Sequence, residues 1–190
     1  WGVRDAPEGT FVHHDIAGLH GCAIRTDQTI VCWGTDTNDR LDAPAGTYTT
    51  LHARGATTCA ISTEGELACW GGSPSSALNS PPEGTYTAVV VAGLYGCAVA
   101  VDGELDCWGD VRPGEPPPAP AGGFVDVVGS NQHACALAAA GSVHCWGANN
   151  VGWSTPFPGT YDQIANAYGN RTCARRVDGV GSCWGNVVVS

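Results

Sequence analysis

Ten cysteines, spaced C-x9-C five times over, are the residues of this chain best suited to chemistry. Two chemistries compete for them. A zinc site would want short C-x2-4-C knuckles in pairs, and the sequence holds no C-x-x-C. A disulfide wants two cysteines facing each other on paired strands. In "CAISTEGELACWGG", residues 59–72, a three-residue turn sets Cys59 opposite Cys69. Their Cβ atoms would then lie about 4.5–5.5 Å apart, within reach of a bridge after slight adjustment. The spacing therefore predicts the pairs Cys22–Cys32, Cys59–Cys69, Cys97–Cys107, Cys135–Cys145 and Cys173–Cys183, and no metal site. Structural disulfides belong in an oxidising compartment, so the chain is expected to be extracellular or periplasmic.

The remaining candidates are weaker. Asp102, Glu104 and Asp106 share one turn and strand, which reads as a solvated hairpin tip. Asp36, Asp39 and Asp42 lack the spacing and glycine of a calcium loop. The histidines, His13, His14, His20, His52, His133 and His144, are scattered. Asn170-Arg171-Thr172 is a glycosylation sequon, meaningful only in a host with that machinery. No nucleophile elbow, P-loop, HExxH or dinucleotide fingerprint occurs. The expectation is a protein that is not an enzyme and takes no cofactor.

Charge narrows the partners. The net charge is −10, with eight basic residues in all. Phosphate backbones and anionic membranes reward clustered Lys and Arg, so neither nucleic acid nor membrane insertion is expected. The longest apolar runs, such as "AVVVAG" at 88–93, fall far short of the roughly 20 residues that cross a bilayer.

The cysteines also mark a repeat. Their first members, Cys22, Cys59, Cys97, Cys135 and Cys173, recur every 37–38 residues, as do their second members. An aromatic precedes each pair: Phe11, Tyr48, Tyr86, Phe124 and Tyr161. The repeats run approximately over 9–45, 46–83, 84–121, 122–158 and 159–190, with 1–8 joined to the last, as one domain. Each reads as strands: an apolar segment, a turn, "CAIS", a Gly-containing turn, then "ELACWG". Four copies carry Gly65, Gly103, Gly141 or Gly179 in the second turn. The first has Gln28 there, where strain is expected. Three or four strands cannot bury both faces alone, so the units must stack. Radial stacking into a closed ring gives an all-β propeller of five short blades, each with one hairpin disulfide. Trp33, Trp70, Trp108, Trp146 and Trp184 alternate with the second cysteines, so they are expected in the core, against the next blade.

The opening Trp1-Gly2 looks like the tail of a further hairpin, and the chain closes with "NVVVS". Either the chain is cut from a longer array or its termini meet. The five complete cysteine pairs favour an intact five-blade unit.

The motif "CAxxxxGxxxCWG" resembles the repeats of the regulator of chromosome condensation family, and "VVGSNQHACALAAAGSVHCWGANNVGW" at 127–153 is the nearest copy. The paired cysteines are similar to short-blade, disulfide-bearing versions in secreted bacterial proteins. In architecture the chain also resembles the propeller-type β-lactamase inhibitor protein, whose loops grip another protein. The resemblance implies the propeller fold over all five repeats. It departs from the family in having five blades where seven are usual. The family founder exchanges nucleotide on a small GTPase and binds chromatin; nothing in this sequence supports either, and the acidic balance and the disulfides argue against a nuclear role. Fold alone does not carry function.

What varies between repeats is the turn before each first cysteine: "GLHGC", "GATTC", "GLYGC", "GSNQHAC" and "GNRTC". A constant scaffold with variable tips along one rim is how binding loops are presented. Leu19, His20, Leu94, Tyr95, Gln132, His133, Asn170 and Arg171 are the expected binding residues, exposed at those tips. The expected function is a secreted, non-enzymatic module that recognises a protein or cell-surface partner. Two alternatives are a lectin for surface glycans, which would want equivalent residues in every repeat, and a homo-oligomeric or filamentous assembly joined head to tail.

Overall fold

Each repeat folds into three antiparallel strands, as its alternation demands. In the computed structural model, which describes residues 6–72, 77–110, 121–130, 133–147, 156–167 and 171–185, fifteen strands form five three-stranded sheets. Blade 1 comprises β1 (Phe11–Ile16), β2 (His20–Arg25) and β3 (Ile30–Gly34). Blade 2 comprises β4 (Tyr48–Arg54), β5 (Thr57–Ser62) and β6 (Leu67–Gly71). Blade 3 comprises β7 (Tyr86–Ala92), β8 (Tyr95–Ala100) and β9 (Leu105–Gly109). Blade 4 comprises β10 (Phe124–Gly129), β11 (His133–Ala138) and β12 (Val143–Gly147). Blade 5 comprises β13 (Tyr161–Ala167), β14 (Arg171–Arg176) and β15 (Gly181–Gly185). The expected β-propeller of five short blades is thus the observed architecture. The terminal dipeptide Trp1-Gly2 and "NVVVS" lie outside the described residues.

Register explains the disulfides. Cys22 pairs across the ladder with Cys32, and the other four pairs match it, with Cα atoms 4.0–4.1 Å apart. Each bridge fastens the middle strand to the outer one. The turn between those strands needs a left-handed residue. Gly65, Gly103, Gly141 and Gly179 supply it at φ 85–89°, and Gln28 adopts φ 69° at the same place. A residue with a Cβ is uncommon in that region, so the strain expected of Gln28 is present. Every inner strand also carries a bulge just after its leading aromatic.

The blades are polarised. On one face of blade 1, Cys22, Ile24 and Ile30 meet Tyr48, Leu51, Ala60 and Trp70 of blade 2. The same arrangement joins blades 2 and 3, 3 and 4, and 4 and 5. The cysteine side of each blade therefore faces forward and the tryptophan side faces back. This corrects the expected direction, because each tryptophan packs against the blade before it rather than the one after. Trp70, Trp108, Trp146 and Trp184 are buried, whereas Trp33 is only half-buried. The indole N–H of Trp70 donates to Arg40 O (3.2 Å) and that of Trp108 to Leu78 O (3.0 Å), tying each to the preceding linker.

Blade 5 departs from the rule on its forward face. Where blades 1–4 place Ile24, Ile61, Val99 and Leu137, it places the exposed Arg175. Where they place Ile30, Leu67, Leu105 and Val143, it places the exposed Gly181. Inner strands stand side by side in the order β1, β4, β7, β10, β13. Among the described residues no comparable packing joins β13 back to β1. Ile16 is accordingly 57% exposed, while Val91 at the same position of blade 3 is fully buried.

Candidate functional site

The variable turns lie between the inner and middle strands, and the described ones, those of blades 1 to 3, lie at one edge of the stack. Leu19 and Leu94 stand exposed there, as expected of tips, and Ile16 joins them. His20, Tyr95 and His133 do not: all three are buried, which corrects their placement as exposed binding residues. The reason is position. Each is the first residue of a middle strand, and its side chain faces forward into the next blade. Nε2 of His20 lies 2.8 Å from Thr58 Oγ1. Nε2 of His133 lies 2.8 Å from Thr172 Oγ1, and its Nδ1 lies 2.8 Å from Ser130 Oγ. The Tyr95 hydroxyl sits 2.7 Å from Ser130 O and 3.0 Å from His133 O. Burial lowers the His133 pKa from the usual 6.5 to about 4. Burial also lowers His20, helped by the Arg40 charge and opposed by Asp15. These residues hold blades together. Arg171, at the same position in blade 5, is half-buried, and its Nε has no hydrogen-bond partner among the described residues. Gln132 and Asn170 lie outside the described residues, so the sequon at Asn170 does too.

Below the exposed tips is a cleft of about 380 Å³, open along the inner strands. Asp15, Ile16, His52, Arg54 and Asn166 contribute to its lining. Its polar geometry follows from one register position, the residue opposite each first cysteine. That residue is Asp15 in blade 1 and His52 in blade 2, but Val90, Val128 and Ala165 in the others. The Asp15 carboxylate accepts from Ile16 N–H and from Ala53 N–H of the next blade, both at 2.8 Å. His52 Nδ1 accepts from Val91 N–H of the blade beyond, at 3.2 Å. The neutral ring therefore carries its proton on Nε2, which lies 3.8 Å from Asp15 Oδ2. Burial holds the His52 pKa below the usual value. Asp15 opposes this, while Arg54 and His13 push further down. On the far side Asn166 donates from its amide to Gly129 O.

Sequence reasoning passed over Asp15, Arg54 and Ile16, and read His52 only as one of six scattered histidines. The signal was available: two polar residues occupy an inner-strand position that is apolar in the other three repeats. The acidic hairpin tip is spread out, and Asp106 accepts from the Tyr86 hydroxyl at 2.9 Å. Burial first, and Asp106 second, raise the Tyr86 pKa to about 12. Among the described residues no three His, Cys, Asp or Glu side chains converge as a metal set, and no helix is long and apolar enough to cross a membrane.

Residues 124–152 match the regulator of chromosome condensation (RCC1) repeat. No curated protein matches the chain. Among solved structures, the CRINKLY WD40 ectodomain of the receptor kinase ACR4 from Arabidopsis thaliana is 25% identical, with TM-score 0.62 over 76% of this chain and 52% of its own. The ectodomain of receptor kinase CR4 from Physcomitrella patens is 18% identical, with TM-score 0.76 over 96% and 52%. Prp20p of Saccharomyces cerevisiae, described with its binding to Gsp1p and histones, is 12% identical, with TM-score 0.74 over 92% and 57%. The chain thus spans about half the length of these structures. With one repeat matched in sequence and the blades matched in fold, the chain is a β-propeller that holds an RCC1-type repeat at residues 124–152 and a hairpin disulfide in each of its five blades.

Proposed function

We propose that this protein is an extracellular, non-enzymatic recognition module that binds a protein or cell-surface partner through the turn edge of blades 1–3. The observation that carries the reading is the exposed Ile16 in the lining of the polar cleft of Asp15, His52 and Arg54, with exposed Leu19 and Leu94 in the turns of blades 1 and 3. Aliphatic anchors around charged groups that can be desolvated are the composition of binding hot spots. Five disulfides and a fold shared with two receptor ectodomains support an extracellular setting. The tips differ from blade to blade, which favours one asymmetric protein site over a lectin's repeated sugar sites.

A photo-crosslinking residue placed at position 19 or 94 tests this against placements at Val101 and Val177, which stand exposed at the opposite edge. On intact cells and secreted protein, the reading expects one discrete adduct from 19 and 94, competed away by unlabelled protein. Adducts from 101 and 177 alone would overturn it.

A further inference from the structure

Arg54 is the oddity of the cleft. It closes an inner strand at a position held by Ala17, Ala92 and Ser130 in blades 1, 3 and 4, so the turn folds without an arginine. Arg54 as a residue is half-buried and lines the cleft, and its charge reaches both His52 and Tyr95. Among the described residues it makes no hydrogen bond or ion pair, in a chain with 18 acidic residues and eight basic ones. The acid nearest to hand is committed elsewhere: each oxygen of Asp15 already accepts a backbone N–H, and His52 adjoins it. Exposed aliphatic side chains, Ile16 on blade 1 and Leu94 on blade 3, flank the blade that carries Arg54. A cation that has no counter-ion among the described residues and lines a cleft beside the exposed Ile16 wants an anion carried on an apolar body.

We propose that this cleft receives a carboxylate borne on an aliphatic polypeptide segment. Arg54 is its counter-ion, and Ile16 and Leu94 are covered by the residues on either side of the acid. The proposal rests on the recognition edge described above and names the chemistry of its partner. It assigns Asp15 and His52 a positioning role: they pin blade 1 to blade 2 and blade 2 to blade 3 through backbone amides, and so fix the floor from which Arg54 projects.

The test uses the oxidised chain and four synthetic probes. They are acetyl-Leu-Glu-Leu-amide, its Gln analogue, acetyl-Leu-Leu with a free carboxylate, and the same dipeptide amidated. Titrations are followed by NMR at the Arg54 Nε–H and the Leu94 amide. The expected result is that acid-bearing probes shift both signals and bind at least about tenfold more tightly than their neutral partners. The first pair reads a side-chain carboxylate and the second a terminal one. Arg54→Gln should remove the preference while leaving the melting temperature in place. Should that variant fail to fold, salt serves instead. Raising sodium chloride from about 50 to about 500 mM should weaken the acid probes and spare the neutral ones. Equal binding of acid and amide probes, or an unchanged preference in Arg54→Gln, would overturn the proposal. So would shifts centred on Arg171. The two readings fail separately. Crosslinks at position 94 that persist in Arg54→Gln uphold the edge and sink the carboxylate, whereas a native chain that prefers the acid probes yet gives no crosslink at position 94 does the reverse.

Discussion

Nε2 of His133 and Oγ1 of Thr172 meet at 2.8 Å across the boundary between blades 4 and 5. His20 and Thr58 meet at the same distance between blades 1 and 2. In both places a buried imidazole is held neutral, because a proton there would have to be buried with it.

The pH dependence follows from that. His133 has a pKa of about 4 in the folded chain against the usual 6.5, so the unfolded chain takes up the proton first. Its contribution is complete above pH 6.5 and is lost as pH falls toward 4, a change on the order of 2 kcal/mol. His20 and His52 shift in the same direction. Denaturant midpoints measured from pH 7.5 to 4.5 should fall, and His133→Gln should flatten that fall.

A second expectation concerns the bridges. Each disulfide closes a loop of about eleven residues, worth roughly 3 kcal/mol in the chain-entropy model. Cys59→Ala with Cys69→Ala should lower stability by about that amount in urea titrations. Single-cysteine variants should do worse, since they leave a thiol in the blade interface.

Close approach makes a third. A Cβ on Gly96 would stand 2.5 Å from the Trp108 ring, while one on Gly18 would meet nothing within 4 Å. Gly96→Ala should therefore cost about 1–3 kcal/mol by overpacking, and Gly18→Ala close to nothing. Thermal melts of the two variants side by side make the comparison.

Much of the fold could be read from the sequence, and for a physical reason. Cys59 and Cys69 sit at a separation only a tight hairpin satisfies, and Gly65 sits where such a hairpin turns left-handed. Neither inference needs knowledge of any other repeat. What lies between repeats was less legible. Alternation told that Trp70 and Cys69 point opposite ways, but not which neighbour each meets. Strand direction in the stack decides that. Tyr95 and His133 follow variable glycine-containing turns and so resembled loop tips, yet they begin the middle strands and point into the next blade. Asp15 and His52 hid within strands whose other members, Val90 and Val128, are ordinary core.

The forward face of blade 5 yields a fourth expectation. Arg175, held to Asp162 at 2.9 Å, occupies the position of four buried aliphatics. Arg175→Leu should rebuild the apolar face of an internal blade without a partner to cover it. Light scattering should then show concentration-dependent association, with the circular dichroism of the monomer retained.

The matched side chains between blades also bear on heredity. Tandem repeats in a gene invite unequal recombination, which removes whole units in frame. Here the units are not interchangeable. Loss of blade 2 would bring His20 against Gly96, and loss of blades 2 and 3 would bring it against Ala134, neither of which has a hydroxyl. Only the loss of three consecutive units, blades 2 to 4, would restore a threonine, at Thr172. Short contractions would thus strand a buried ring without its hydrogen-bond partner, and selection against them would keep the number and order of the repeats constant over generations.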